Sequence, residues 1–252
     1  MEVPAASDIV ARFELVGLRY GDGAEVLRDI SLQLSAGSFH FLLGASGAGK
    51  TSLLRLLYLA MKPTRGRFVL FGTEIGQAPR PALAALRRRI GIVFQDFRLL
   101  PQLSLYDNVA APLRIAGVGE DRLRLTVLPL LARMGLEPLA QSRPAALSGG
   151  QQQLAAIARA VIVRPRLLIA DEPTASVDAA LSLRLIELFQ ELNRLGTTVL
   201  IATHNEPLAA RFPHPRLRLD GGRLVAEAPG EPLLLTPSAT RATPRTASAG
   251  VP

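Results

Sequence analysis

Four short runs in this chain are almost entirely apolar: Phe39–Leu43, Ile90–Phe94, Leu167–Ala170 and Thr198–Ala202. They lack the alternation of a half-exposed strand and predict strands buried on both faces, as in a parallel sheet covered by helices. Phe13–Tyr20 and Val26–Leu34 do alternate, around Gly21-Asp22-Gly23, and predict an antiparallel pair. A leucine-bearing helix opens at Lys50, runs through Leu59 and stops before Pro63. From Asp96 to Ala146 leucine and alanine recur with helical spacing and no strand-like run interrupts them, which predicts a helical lobe over about 96–158 inserted into an α/β core. From Ala228 the chain turns to Pro, Ala, Ser and Thr without period, the composition of a disordered tail over 229–252. No internal repeat is visible, so residues 1–228 are expected to form one folded unit.

Composition narrows the setting. Of 252 residues 48% are hydrophobic, ample for a large core, yet no stretch approaches the roughly 18 apolar residues that cross a bilayer. The start, Met1 to Asp8, lacks the basic and apolar regions of a secretory signal. Absence of cysteine excludes disulfides and thiolate metal sites, and His40, His204 and His214 are too scattered for a histidine cage. The expected location is therefore the cytoplasm. The net charge of +8 would suit nucleic acid or an anionic membrane surface. Arg87-Arg88-Arg89 is the only tight basic run and has no interleaved aromatics for base stacking, so no nucleic-acid partner is expected. Lys50 and Lys62 are the only lysines among 29 basic residues, which marks them as positions where arginine does not substitute.

One of those lysines sits in Gly44-Ala45-Ser46-Gly47-Ala48-Gly49-Lys50-Thr51, between an apolar strand and a leucine-rich helix. The spacing G-x-x-x-x-G-K-T in that context is a P-loop. Its glycines let successive N–H groups point inward, and the helix start adds its positive dipole end, so polyphosphate is cradled. Lys50 is placed to reach the β- and γ-phosphates, and Thr51 to offer its hydroxyl to Mg²⁺. The expected fold class is α/β: a P-loop NTPase core of the RecA-like kind, with an N-terminal antiparallel β subdomain and the inserted helical subdomain.

Arg166–Ala170 runs into Asp171-Glu172, two adjacent carboxylates at the end of an apolar strand. Like charges repel there unless a cation is present, and ligands of open α/β sheets bind at that edge. Asp171 would hold Mg²⁺, directly or through water, and Glu172 would polarise the attacking water as general base. An acidic helix cap before Pro173 is the plainer alternative. His204 follows the strand Thr198–Ala202 and should reach the same edge, near the γ-phosphate or the water; a lone histidine is more often structural.

Leu147-Ser148-Gly149-Gly150-Gln151-Gln152-Gln153 supplies a second candidate phosphate-binding helix start. With this heptapeptide beside the P-loop and the Asp-Glu pair, the chain resembles the ATP-binding cassette family from about Phe13 to Glu227. The resemblance implies a head-to-tail homodimer with two ATP molecules in composite sites. By that likeness Tyr20 stacks on adenine, and Gly44 to Ser52 bind ATP. Gln95 senses Mg²⁺ and the attacking water, so Thr51, Gln95 and Asp171 form the metal set, and Glu172, His204, Gln95 and Lys50 the catalytic set. Ser148, Gly149, Gly150 and Gln151 act in trans on the partner's nucleotide, and Asp178 makes a dimer contact.

Phe39-His40-Phe41-Leu42, Ser52–Ala60, Phe94–Val109 and Ile201–His204 bring the likeness closest to the cell-division branch of the family. That branch implies an integral membrane partner and a place at the cytoplasmic face of the bacterial inner membrane. Lipoprotein-release and macrolide-export ATPases are similar and stand as the alternative. Asp96–Val109, carrying Phe97, Leu99, Leu100, Leu103, Leu105 and Tyr106, is expected to line the partner's docking groove, unless these side chains simply pack the lobe. Three positions depart from the family pattern: Leu154 where arginine is usual, Ala175-Ser176-Val177 before the aspartate, and Asn205 where an acidic residue usually follows the histidine.

Overall fold

Alternation in the two N-terminal strands extends further than their sequence pattern suggests, because bulges break its period. A computed structural model describes residues 8–225, and the tail expected over 229–252 lies outside them. Strand β1 covers Ile9–Arg19 and β2 covers Glu25–Ser35, paired antiparallel. The register slips between Phe13 and Val16, where Leu15 takes φ 48° and turns outward, and again between Val16 and Leu18, where Asp29 on β2 takes φ 53°. A bulge of this kind moves every later side chain to the other face. Strands β4 (Arg65–Leu70) and β5 (Thr73–Glu74) complete a sheet in the order β2-β1-β4-β5. Phe13 stacks on Phe68 across it, with ring centroids 4.2 Å apart. The Arg-Gly-Arg opening of β4 hid this strand from the hydrophobic pattern.

A second sheet contains β3 (Phe39–Leu43), β6 (Ile90–Val93), β7 (Leu167–Asp171), β8 (Thr198–Thr203), β9 (Arg216–Asp220) and β10 (Arg223–Val225), in the order β10-β9-β3-β8-β7-β6. All its pairings are parallel except β9 with β10. Both faces are covered, as the uninterrupted apolar runs require. Leu42, Ile169 and Leu200 pack with α1 (Lys50–Leu57) beneath the antiparallel sheet. Phe41, Leu168 and Ile201 face the other way, towards Leu185, Ile186 and Phe189 of α6 (Ala179–Arg194). Each such fully buried side chain stabilises the fold by roughly 2 kcal/mol.

Helices α3 (Leu105–Ile115), α4 (Glu120–Arg133) and α5 (Gly149–Val161) lie between β6 and β7 in the chain, preceded by α2 (Arg80–Arg87). Leu105, Val109, Leu123, Val127, Leu131, Ala155 and Ala158 form their shared apolar cluster. Leu130, Met134 and Leu154 touch both this cluster and the one under α6, joining the lobe to the sheet. No helix among the described residues is long and apolar enough to cross a membrane.

Strand register sets where the chain exits. Leu43 is level with Thr203, Asp171 with Ala202, and Val93 with Ala170. The four strands therefore end along one edge, and the residues just beyond them, Gly44, His204, Glu172 and Gln95, leave from that edge together.

Candidate active site

These exits enclose a cleft of about 500 Å³ walled by Ala45–Gly47, Gly49–Ser52, Gln95, Asp171, Glu172 and His204. Gly44, Gly47 and Gly49 all take positive φ, at 156°, 80° and 106°. Space as well as φ excludes a side chain at Gly44, where an added Cβ would lie 2.4 Å from the Leu219 carbonyl oxygen. Gly49 caps α1 without any side-chain hydrogen bond, so the N–H groups of the first turn keep their donors facing the cleft. Ala48, the remaining loop residue, is buried, and its carbonyl accepts from Gly222 N.

Lys50 and Glu172 are buried to 7% and 9% exposure. The Lys50 ammonium donates to the Gly44 carbonyl at 2.7 Å and the Ala45 carbonyl at 3.2 Å, and lies 3.4 Å from Glu172 Oε1. The Glu172 carboxylate also accepts from His204 Nδ1 at 2.9 Å and from the His204 backbone N–H at 3.2 Å. With Nδ1 donating, the imidazole's Nε2 is left for other partners. The Glu172 backbone is held at φ 47° while its N–H donates to Ala202 O at 2.9 Å. A left-handed non-glycine residue costs on the order of 1–3 kcal/mol and persists only where its surroundings over-determine it.

Asp171 accepts from the Thr51 hydroxyl at 3.0 Å. Burial raises its pKa above the ordinary carboxylate value, opposed by the Thr51 hydrogen bond and reinforced by the Glu172 charge. Thr51, Asp171 and Gln95 together offer a hydroxyl, a carboxylate and an amide oxygen. This all-oxygen set fits a hard cation that keeps most of its other ligands as phosphate and water.

A model of the ABC transporter family matches residues 27–175, more than half of the chain. The chain belongs to that family. It is 43% identical to the cell division ATP-binding protein FtsE of Escherichia coli K12, over 84% of this chain and 96% of that protein. It is 39% identical to the methionine import ATP-binding protein MetN of Chromohalobacter salexigens, over 86% of this chain and 64% of that one. A dimeric post-hydrolysis structure of the cassette MJ0796 bound to ADP and Pi matches with TM-score 0.80 and 31% identity, covering 87% of this chain and 98% of that one. The chain is accordingly an ABC ATPase with a P-loop NTPase fold, an ATP-binding subunit of an ABC system.

Other ABC-family positions lie around the cleft or away from it. The Tyr20 hydroxyl is 3.0 Å from Ser52 Oγ, and Arg55 donates to the same hydroxyl at 3.4 Å, so the ring stands beside the P-loop helix. Ser148 to Gln151 do not line the cleft. Ser148 caps α5 by accepting from Gln151 N at 3.3 Å, while Gln151 Oε1 accepts from Ser148 N at 2.8 Å, a complete capping box. Asp178 caps α6, accepting from Leu181 N at 2.8 Å. Gly150 lies against that helix, where an added Cβ would be 2.8 Å from Leu181 Cδ2.

Two of the three departures have a local reason. Leu154 packs at the apolar junction between lobe and sheet, touching the clusters of both. Asn205 caps α7 (Glu206–Ala209) by accepting from Leu208 N at 3.0 Å, as an aspartate would. Nothing in the structure explains Ala175-Ser176-Val177.

Part of the apolar segment after Gln95 packs the lobe, and part stays at the surface. Leu105 and Val109 are wholly buried in the lobe core, with Leu99 and Tyr106 against them. Leu100 remains 41% exposed and Phe97 half-buried. Sequence reading missed two polar residues that hold this segment. Asn108, wholly buried, accepts from Leu100 N at 2.7 Å and donates to the carbonyls of Leu100, Leu103 and Ser104. Arg159 donates to the carbonyls of Phe97 and Arg98. An arginine inside the small apolar run Ala155–Val161 was the available signal.

Proposed function

We propose that this chain is the MgATP-hydrolysing subunit of an FtsEX-like complex acting in cell division, driving an FtsX-like membrane subunit by closure of a homodimer at the cytoplasmic face of the inner membrane. The 43% identity that runs through 96% of the E. coli cell-division protein carries this reading. A second reading, the ATPase of a transporter, is favoured by the 39% identity to a methionine importer; the lipoprotein-release and macrolide-export types belong to the same reading.

In the proposed cycle the P-loop N–H groups of Ser46 to Thr51 hold the phosphates, and Lys50 exchanges its Glu172 contact for the β- and γ-phosphates. Tyr20 stacks on adenine, and Ser52 continues the phosphate contacts. Thr51, Asp171 and Gln95 would hold Mg²⁺, which neutralises charge on the phosphates when bound. Glu172, released from Lys50, orients the attacking water and accepts its proton, while the His204 backbone N–H keeps that carboxylate in place and the imidazole N–H turns to donate to the γ-phosphate. Ser148 and Gly149, exposed at the start of α5, and the half-buried Gly150 and Gln151 close over the partner's nucleotide, with Asp178 beside that contact. The MJ0796 cassette, 31% identical, is described as a dimer bound to ADP and Pi, which supports this assembly.

Co-expression tests the specific function. Glu172→Gln in MgATP should co-purify with an FtsX-like membrane protein carrying one large extracytoplasmic loop. Capture instead by the membrane subunit of a transporter would favour the second reading. Phe97→Asp, checked by thermal melt, asks whether the partner docks beside Gln95: loss of capture with an unchanged melt supports docking there.

A further inference from the structure

Arg159 sits in the last turn of α5 among Ala155, Ala156, Ala158 and Ala160, all buried. Burial pushes its pKa down and no carboxylate offsets the effect. The guanidinium is satisfied instead by two backbone carbonyls: Nη1 donates to Arg98 O, and Nη2 to Phe97 O at 2.6 Å. Those carbonyls belong to consecutive non-glycine residues in the left-handed region, Phe97 at φ 57° and Arg98 at φ 49°. The turn they make is tight, with Phe97 N donating to Phe94 O at 3.2 Å and Arg98 N to Asp96 O at 2.6 Å. The Arg98 side chain lies over the Phe94 ring at 4.1 Å and pairs with Asp96 at 3.1 Å. Gln95 is the residue this turn presents to the nucleotide cleft.

Two adjacent left-handed residues relax towards ordinary backbone unless something holds them. Relaxation would redirect the chain as it leaves β6 and move the Gln95 amide. A planar fork holds two neighbouring carbonyls with two separate nitrogens in fixed geometry, which a single ammonium nitrogen does less well. We propose that Arg159 is a positioning residue for Gln95, clamping the Phe97–Arg98 turn to α5 so that helix and glutamine move as one body. The proposal rests on the role in hydrolysis assigned to Gln95 above. It adds a path between two ATP sites. The same helix is capped by Ser148, about 16 Å away along its axis by the rise per residue, and in the proposed dimer that start meets the partner's nucleotide. Closure on one site then reaches the other through Arg159.

The test is a double-mutant cycle on the full chain with Gln95→Ala, Arg159→Met and the pair, measuring kcat and KM for MgATP. Arg159→Met should lower kcat about tenfold or more and leave KM within about threefold, and the double variant should be no slower than Gln95→Ala alone. Arg159→Lys, which keeps charge and part of the contact, should fall between wild type and Arg159→Met, and replaces it in the cycle if the methionine variant does not melt cooperatively. Losses that multiply in the double variant, or a lowered melt with unchanged kcat, overturn the proposal. Full-speed hydrolysis by Gln95→Ala overturns the role of Gln95 itself, which is a separate result.

Discussion

At the C-terminal edge of the parallel sheet, Lys50 and Glu172 are almost wholly buried and lean on each other at 3.4 Å. Glu172 is also held at φ 47°. At the start of α5, Ser148 and Gly149 are exposed, and the capping box satisfies two of the local donors, the Ser148 and Gln151 N–H groups. The first region is strained and charged, with donors facing an open cleft; the second is a relaxed, capped helix end. A single chain therefore carries a reactive half-site and, well apart from it, a quiet surface with helix-start donors. Under the proposed function, chemistry lives in the first and control in the second, because the second has nothing to act on until another copy brings it a nucleotide.

Substitutions at the strained edge should show the largest effects. Glu172→Gln keeps the volume and the contact to the His204 backbone N–H but removes the base. Turnover should fall about 10²-fold or more while ATP binding persists. Phosphate release read beside a nucleotide-binding titration checks this, and undiminished hydrolysis would remove Glu172 as base. Lys50→Ala should act differently, weakening nucleotide binding itself by about tenfold or more as a charge-assisted contact is lost.

The quiet surface should fail only in the dimer. In MgATP, Glu172→Gln should shift from monomer to dimer on size-exclusion chromatography. Adding Ser148→Arg should abolish that shift while each monomer still binds ATP. A dimer that forms regardless of nucleotide would dissolve the distinction between the two regions.

The same contrast explains what was legible from the sequence. The cleft was readable because each part is local: eight residues of P-loop, a strand ending in Asp171-Glu172, another ending before His204. Burial on both faces made those strands stand out as unbroken apolar runs. What places them together, the level register of Leu43, Asp171 and Thr203, follows from the strand pairing and was not visible. Strand β4 was missed because an exposed arginine-glycine-arginine opening masks its apolar end. Arg159 and Asn108 were missed because their partners are backbone carbonyls and an N–H, which leave no mark in a sequence. The dimer roles proposed for Ser148 and Asp178 rest on family likeness, since in one chain both are helix caps.

A buried ionisable group away from the cleft gives the comparison a control. His40 lies near the other end of β3, and its Nδ1 is buried without a hydrogen-bond partner. Burial, and secondarily the His214 charge, lower its pKa to about 4. Between the usual value near 6.5 and about 4 the unfolded chain binds a proton that the folded chain does not. Stability therefore falls as pH drops through that window, by about 2 kcal/mol at pH 5. His40→Met should flatten this dependence in denaturant melts at pH 7 and pH 5, with ATP binding at pH 7 unchanged. An equally steep loss in the variant would place the acid sensitivity elsewhere.

The smallest effect is expected at Asn205, beside the reactive edge yet serving only as a helix cap. Its side-chain oxygen accepts from Leu208 N at 3.0 Å, and its own N–H donates to Thr203 Oγ1 at 3.0 Å. Asn205→Asp preserves both contacts, and asparagine and aspartate cap helices about equally well. The added charge sits at the start of α7, where the helix dipole favours it by a few tenths of a kcal/mol. The melt should move by less than about 0.5 kcal/mol equivalent. Asn205→Ala, which loses the cap, should cost about 1 kcal/mol. Neither change touches Glu172 or the imidazole that holds it, so kcat should stay within about twofold in both. A tenfold change in the aspartate variant would mean that charge next to His204 tunes the reaction, and the boundary between strained edge and ordinary helix end would then lie one residue further along the chain.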